Sequence, residues 1–389
     1  MDFKIIDGGV TAAKGFMALG KNCGIKIQKK DLAVIYSEKP AVAEALYTTN
    51  QIKGAPLIVT QKHLKNHMAQ AIVVNSGIAN VCTGQKGISD AEETARLAAV
   101  ELGVKKEDVL VASTGLIGAY LPMEEIRNGL KGCKKELKKD SNDAAEAILT
   151  TDAGKKTIAV KVGNCTIGAI AKGAGMIHPN MATMLAFIAT DAEFNSEQLR
   201  KMLQNAVGVS FNALSVDHDM STSDMVVLMA NGMAGKADAS LFQEALTYVC
   251  VELAKMMAKD GEGATKLMTV HIKNASSEED AKKIAQSIIG SNLVKTALFG
   301  QDPNWGRIAA AVGYSRASID PSRLSIWLGE ERVVEAGKGK EFNTANIKKI
   351  MAADEIRITV DIGVGRAETT AYGCDLTHDY VSLNTAYHT

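Results

Sequence analysis

Residues 172–191 constrain the fold of this chain more than any other stretch, because the character of the sequence changes halfway along them. The first half contains two glycines and a proline, which favour an irregular loop. The second half contains an apolar run, residues 184–189, that is short enough for a buried strand. Thr183 stands at the junction, directly after the small residue Ala182. Its hydroxyl belongs either to an ordinary threonine that starts a strand, or to a nucleophile held with open approach from one side.

Length and charge limit the classes of function that are expected, before any motif is considered. With 389 residues the chain can form two cores, because single hydrophobic cores stop growing beyond roughly 250 to 300 residues. Its 44 basic and 44 acidic side chains cancel, so no overall field favours nucleic acid or an anionic membrane. No segment has the run of about 18 apolar residues that a membrane helix needs. We therefore expect a cytoplasmic protein that acts on small molecules.

Strands and helices alternate on both sides of residue 183, which predicts α/β layers in each half. An S-x-x-E capping box at Ser89 and Glu92 predicts a helix that runs to Gly103, and Ser276 with Glu279 predicts another helix start. The remaining predicted strands are residues 31–37, 71–74, 109–112, 225–230, 267–272 and a hairpin at 157–171. The remaining predicted helices are residues 61–68, 141–149, 196–206, 241–259 and 344–351.

Two stretches of the N-terminal half have the composition of a site. The strand at 109–112 delivers Ser113, Thr114 and Gly115 at its end, where a hydroxyl and a backbone N–H could converge on one oxygen. A plain glycine turn is the alternative interpretation. Residues 75–84 follow another strand and are rich in small residues and asparagine, so we expect this loop to line a site, with Asn75 and Asn80 as its polar members.

Two other patterns argue against cofactor and metal sites. Gly173 and Gly175 begin a glycine-rich pattern, but His178 replaces the third glycine and no helix opens there, so a dinucleotide site is not expected. The cluster 217–219 has two carboxylates and a histidine, but three consecutive residues of a strand point to opposite faces. We expect no metal at this cluster.

Three motifs in order along the chain resemble the ornithine acetyltransferase family, which is also called the glutamate N-acetyltransferase family. They are KGAGMIHPNMATMLAF at 172–187, STGLIG at 113–118 and DPNWGR at 302–307. The resemblance implies a layered α/β sandwich with an N-terminal-nucleophile-like site, in two lobes split by self-cleavage between Ala182 and Thr183. Residues 1–182 would form an alpha chain, residues 183–389 a beta chain, and two of each a heterotetramer.

The same resemblance implies roles for individual residues. Thr183 would be the catalytic nucleophile, and Thr114 and Gly115 the oxyanion hole. Lys172 would meet a substrate carboxylate and Glu262 a substrate ammonium, although both could be ordinary surface charges. The substrate-binding positions that the family implies are Thr151, Lys172, Thr183, Glu262, Asn384 and Thr389, with Thr150 as the alternative to Thr151.

The chain departs from the family pattern at three places. Ile78 stands where the family usually has asparagine, so a polar role of this position is in doubt. His218 and Met220 stand where glycine and threonine are more frequent.

His178, beside a proline, is as readily a loop-packing residue as a catalytic one.

The resemblance implies an acetyltransferase of the cyclic arginine pathway, which moves acetyl from N2-acetylornithine to glutamate by a ping-pong mechanism. The free α-amine of Thr183 would be the base, since such amines titrate at about 7.7 to 8.0. No cofactor is implied, and acetyl-CoA as a second donor stays open. A self-processing N-terminal-nucleophile amidohydrolase or aminopeptidase is the enzyme alternative. An amino-acid-binding regulatory protein without turnover is the alternative from another class.

Overall fold

The computed structural model describes residues 2–178 and 184–386, in which strands form two sheets flanked by helices. The strands are β1 (Phe3–Ile6), β2 (Phe16–Lys21), β3 (Leu32–Tyr47), β4 (Met68–Ile78), β5 (Val109–Leu116), β6 (Lys156–Val162), β7 (Cys165–Lys172), β8 (Leu185–Glu193), β9 (Met225–Lys236), β10 (Leu267–Ala275), β11 (Ser325–Leu328), β12 (Glu331–Glu335), β13 (Lys338–Gly339), β14 (Glu355–Asp361) and β15 (Ala367–Cys374).

The helices are α1 (Ala55–His63), α2 (Gly84–Leu102), α3 (Met123–Leu130), α4 (Cys133–Glu136), α5 (Asn142–Ala147), α6 (Ser196–Gly208), α7 (Ala239–Lys259), α8 (Glu278–Ile289), α9 (Asn292–Phe299), α10 (Trp305–Gly313), α11 (Thr344–Ala352) and α12 (His378–Ala386). Within the described parts of the chain, no helix combines the length and the apolar character needed to cross a membrane.

The larger sheet has nine strands in the order β1-β6-β7-β8-β9-β3-β4-β5, with β2 paired to β3. Two of its neighbouring pairs, β4 with β5 and β8 with β9, are parallel. Leu185 pairs with Lys172 on one side and with Met225 on the other. Because β8 and β9 run the same way, their first residues lie at the same edge of the sheet, which is also where β7 ends.

The smaller sheet has six strands in the order β13-β12-β11-β14-β10-β15. Helices α8, α9, α10 and α11 supply side chains to the core that covers it. Helix α7 packs against β6 and β7 of the larger sheet and against β10 and β15 of the smaller one. Its buried residues recur at helical spacing, from Phe242 to Ala258, so one amphipathic helix joins the two layers. The expected layered α/β architecture is confirmed.

Several predicted elements are confirmed and several helix starts are wrong. The hairpin, the strand after residue 183 and the helix Thr344–Ala352 are present. The predicted capping box fails, because α2 already begins at Gly84 and the Ser89 hydroxyl donates to the Gln85 carbonyl inside the helix. Ser277 rather than Ser276 caps α8, since its hydroxyl accepts the Asp280 N–H. The expected helix at 61–68 lies earlier, as α1, and β4 has already begun by Met68.

The predicted boundary between residues 182 and 183 runs through the larger sheet. Strand β7 comes before the boundary and its antiparallel neighbour β8 comes after it. The sheet therefore contains strands from both predicted chains, joined by backbone hydrogen bonds. The division into two chains stays a prediction.

Candidate active site

A cleft opens at the sheet edge where β5 and β7 end. The predicted residues that line it come from distant parts of the sequence: Thr114, Gly115, Thr150, Thr151, Lys172, Glu262 and Asn384. Thr150 and Thr151 both line the cleft, so both stay candidates for the substrate-binding threonine. Ala182, Thr183 and Thr389 lie outside the described residues. Leu185, two residues beyond Thr183, pairs with Lys172 in the sheet.

Gly115 is held where no other residue would fit. It pairs with Gly77 across the parallel strands β4 and β5, and its φ is +127°. A Cβ built at Gly115 would lie 2.3 Å from the carbonyl carbon of Gly77. Any side chain would push the two strands apart, so the close approach and the positive φ both require glycine here.

Lys172 and Thr114 are joined by a buried hydrogen bond, in which the lysine Nζ donates to the threonine Oγ1 at 3.1 Å. An ammonium group only donates, so Thr114 must accept in this bond and its own hydroxyl proton is free for another acceptor. Burial lowers the pKa of Lys172, while the carboxylates of Asp152, Asp224 and Glu262 act in the opposite direction. The lysine thus orients the hydroxyl as a donor.

A buried network of ion pairs stabilises the end of strand β7, where Lys172 lies. Lys156 Nζ lies 2.7 Å from Asp152 Oδ1 and also contacts the Asp260 carboxylate. Asp152 Oδ1 accepts the Gly173 N–H at 2.6 Å, which fixes the chain immediately after Lys172. Burial raises the pKa of Asp152, but the charges of Lys172 and Lys156 and the hydrogen bonds of Lys156 and Gly173 lower it to about 2. The aspartate stays ionised and keeps the end of β7 in place.

Glu262 presents a carboxylate to the same cleft. Its Oε2 accepts the Asn384 Nδ2–H at 2.8 Å, and its own N–H donates to the Ala174 carbonyl. A Cβ at Gly175 would lie 2.5 Å from the Glu262 carboxyl carbon, so any side chain here would displace this carboxylate. The cleft therefore contains an ammonium group from Lys172 and a carboxylate from Glu262. An amino acid, which carries both charges, fits this pairing.

Three further residues line the cleft that sequence reasoning missed: Ser221, Thr222 and Ser223. They precede β9, whose first residue lies beside the first residue of β8. A sequence signal was present, because four polar residues, 221–224, stand directly before the apolar strand. Their importance depends on β9 pairing parallel to β8, which the sequence pattern alone does not indicate.

The two asparagines of the loop at 75–84 have a supporting rather than a lining role. Asn75 Oδ1 accepts the Ser113 hydroxyl at 2.5 Å, and Asn80 Nδ2 donates to the Gly87 carbonyl at 2.9 Å. The residue of this loop that lines the cleft is Ala79. Position 78, where the chain departs from the family pattern, contributes its carbonyl as the acceptor for Asn75 Nδ2. Asn75 thus braces the end of β5 near Thr114, whereas Asn80 joins the loop to the start of α2.

His178 and His218 lie together in a separate surface pocket with Arg316. Their ring centroids are 4.4 Å apart. Burial, with a smaller effect of His218, lowers the pKa of His178 to about 4, so the ring is neutral near pH 7. The Asp217 carboxylate is already bonded to backbone N–H groups. Across residues 2–178 and 184–386, no three His, Cys, Asp or Glu side chains are grouped to hold a metal.

Comparison with known proteins gives matches over nearly the whole chain. The model of the ArgJ family matches residues 17–389. The arginine biosynthesis bifunctional protein ArgJ of Caldanaerobacter subterraneus subsp. tengcongensis is 48% identical, over 99% of this chain and 100% of that protein. The protein of the same name from Symbiobacterium thermophilum is 47% identical, over 98% of this chain and 99% of that protein.

Among solved structures, the arginine biosynthesis bifunctional protein ArgJ of Bacillus halodurans matches with 38% identity and a TM-score of 0.50. The match covers 98% of the solved chain but 52% of this one. The family match and the near-full-length identities agree with the three motifs and with the cleft that collects residues of two of them, 113–118 and 172–187. This chain belongs to the ArgJ family.

Proposed function

We propose that this chain is an acetyltransferase that moves the acetyl group of N2-acetylornithine to glutamate in arginine biosynthesis. Membership of the ArgJ family supports the pathway. The observation that carries the proposal is the cleft itself, in which Lys172 and Glu262 offer opposite charges beside the same opening as the Thr114 hydroxyl donor. A substrate amino acid is bound by such a pair through its carboxylate and its ammonium group.

The nucleophile in this proposal is Thr183, freed by self-cleavage. Its Oγ attacks the Ala182 carbonyl, the peptide nitrogen leaves as the Thr183 α-amine, and water hydrolyses the resulting ester. The freed amine then serves as the base that a threonine hydroxyl needs. The small side chain of Ala182 leaves room for the tetrahedral centre.

Turnover repeats the same chemistry on substrate. Thr183 Oγ attacks the acetyl carbonyl of N2-acetylornithine, and its proton passes through the α-amine to the leaving nitrogen of ornithine. The acetyl ester is then attacked by the amine of glutamate, which regenerates the threonine. In both steps the negative oxygen of the tetrahedral intermediate is stabilised by the Thr114 hydroxyl and the Gly115 N–H.

The two-chain organisation fits the sheet and the comparison. A cut at residue 182 would leave β7 and β8 paired along residues 167–172 and 185–190, so the fragments would stay together without a covalent link. The solved Bacillus halodurans chain spans about half of this one, which is the extent expected of one cleavage product. We extend the proposal to a heterotetramer of two alpha and two beta chains, and to acetyl-CoA as a second donor to glutamate.

The proposal is tested with purified protein, N2-acetylornithine and labelled glutamate. The expected products are ornithine and N-acetylglutamate in equal amounts. Release of free acetate without N-acetylglutamate would instead support the amidohydrolase alternative. Binding of ornithine or glutamate with neither product would support a regulatory protein without turnover. A parallel reaction with acetyl-CoA in place of N2-acetylornithine tests the second donor.

Replacing Glu262 with glutamine is expected to raise the KM for N2-acetylornithine by about tenfold or more, with a smaller fall in kcat. The amide keeps the bond from Asn384 but removes the charge that holds the substrate ammonium in ground and transition states alike. Self-cleavage involves no free amino acid and serves as the internal control, since it should proceed at the normal rate. A variant that stays uncut would show that Glu262 does not act on substrate alone.

A further inference from the structure

The segment that contains the proposed cleavage bond is fixed on both sides by a single stretch of chain, residues 215–225. Upstream, Ile177 donates its N–H to Asp217 and its carbonyl accepts the Val216 N–H. Downstream, Met184 donates its N–H to Asp224 Oδ1 at 2.8 Å, and its carbonyl accepts the Met225 N–H. Each flank is therefore held through both its donor and its acceptor.

Asp217 is the anchor of the upstream flank. Its Oδ2 accepts the Met176 N–H at 2.6 Å and its Oδ1 accepts the Ile177 N–H at 2.8 Å. Met176 has a φ of +56°, a left-handed conformation that is unfavourable for a non-glycine residue. Two hydrogen bonds to one carboxylate stabilise this conformation. Without Asp217 the upstream flank would relax away from it.

Asp224 is the anchor of the downstream flank, and it differs from Asp217 in its hydrogen bonds. The residue is fully buried, its Oδ1 accepts the Met184 N–H, and its Oδ2 has no hydrogen-bond partner among the described residues. Burial raises the pKa of this carboxyl well above its ordinary value, although the Met184 N–H and the Lys172 charge act in the opposite direction. An asparagine has nearly the same shape and keeps an oxygen that can accept the Met184 N–H.

We infer that Asp217 and Asp224 are positioning residues that hold the two sides of the Ala182–Thr183 bond for self-cleavage, and that only Asp224 is needed afterwards. The inference rests on the proposed function. Before cleavage, both flanks must be fixed if the Thr183 hydroxyl is to reach the Ala182 carbonyl. After cleavage, the upstream flank ends the alpha chain and carries no reacting group, although Met176 lines the cleft. The downstream flank still carries the nucleophile, one residue before the Met184 N–H that Asp224 holds.

Loss of each anchor should affect self-cleavage and turnover differently. Loss of Asp217 should slow self-cleavage alone, and loss of Asp224 should slow both reactions. In Asp217→Ala we expect self-cleavage to slow about tenfold or more, because both hydrogen bonds to the upstream flank are lost, together with those from the Asp219 N–H and the Tyr380 hydroxyl. Once prolonged incubation has completed the cleavage, acetyl transfer per cleaved molecule should match that of the unmodified protein. In Asp224→Ala both the cleavage rate and the transfer per cleaved molecule should fall by about tenfold or more.

Asparagine variants provide a readout that a general loss of stability would not. Asp224→Asn keeps the carbonyl that accepts the Met184 N–H, so cleavage and transfer should stay within about threefold of normal. Asp217→Asn can accept only one of its two N–H groups and should cleave about as slowly as Asp217→Ala. Asp219→Ala, an exposed residue of the same stretch, is the matched control and should cleave normally.

The experiment follows cleavage of freshly synthesised full-length chains on denaturing gels, and then acetyl transfer by the matured protein. Normal cleavage of Asp217→Ala would overturn the inference, as would a matured Asp217→Ala protein as defective in transfer as Asp224→Ala. Equal effects of the two asparagine variants would also contradict it. If the unmodified chain neither cleaves nor transfers acetyl, the proposed function itself fails, which is a different and recognisable outcome.

Discussion

Thr183→Ala is expected to yield a single uncut chain that transfers no acetyl group. The substitution removes the only atom that attacks Ala182 during processing and the acetyl carbonyl during turnover, so both reactions fail together. The fold should survive, because the neighbouring residue Met184 is held by Asp224 and by strand β9 rather than by the threonine. Denaturing gels and the N2-acetylornithine assay measure the two reactions on the same preparation.

Thr183→Ser is the matched control for this variant. Serine retains the hydroxyl and, after cleavage, the α-amine, so both processing and transfer should be recovered in part. An alanine variant that remains uncut yet transfers acetyl at the normal rate would assign the nucleophile to another residue. A serine variant as inactive as alanine would make the threonine methyl group, rather than the hydroxyl, the essential feature.

Thr114→Ala is expected to have the second largest effect, with kcat lower by about a hundredfold or more. The loss is one of two oxyanion donors, the one that Lys172 orients through its hydrogen bond of 3.1 Å. Self-cleavage passes through a similar tetrahedral intermediate, so it should slow as well. The KM for N2-acetylornithine should change little, because the hydroxyl acts mainly when the oxyanion forms.

Thr114→Ser separates the hydroxyl from the packing of the side chain. It keeps the donor and loses only a methyl group, so it should retain most of the activity and cleave at close to the normal rate. If Thr114→Ala is instead processed normally and loses affinity for substrate alone, Thr114 binds the ground state and is not an oxyanion donor.

The strands were predictable because their signals are local. The apolar run after residue 183 and the hairpin around Gly163 each specify a strand without help from the rest of the chain. Helix starts were less predictable. The pattern at Ser89 and Glu92 satisfies the capping rule, yet α2 begins five residues earlier and buries Ala91 and Ala95, so packing decides where this helix lies.

The candidate site was predictable to the extent that its residues belong to motifs of the family. Thr114, Lys172 and Glu262 were all expected to act together, and the structure brings them into one cleft. Asp217 and Asp224 were not expected as anchors, because they accept backbone N–H groups, which every residue but proline offers. The partner of Asp224 follows from the parallel pairing of β8 with β9, and the partners of Asp217 follow from the contact between residues 176–177 and 216–217. Neither long-range contact leaves a local trace in the sequence.

The central claim is that Thr183 is both the product of self-cleavage and the carrier of the acetyl group. The most direct test is intact mass under denaturing conditions, recorded before and after mixing with N2-acetylornithine alone. The account predicts two fragments, residues 1–182 and 183–389, and the gain of one acetyl group by the second fragment only. A single full-length chain that is active, or an acetyl group on the first fragment, would contradict it.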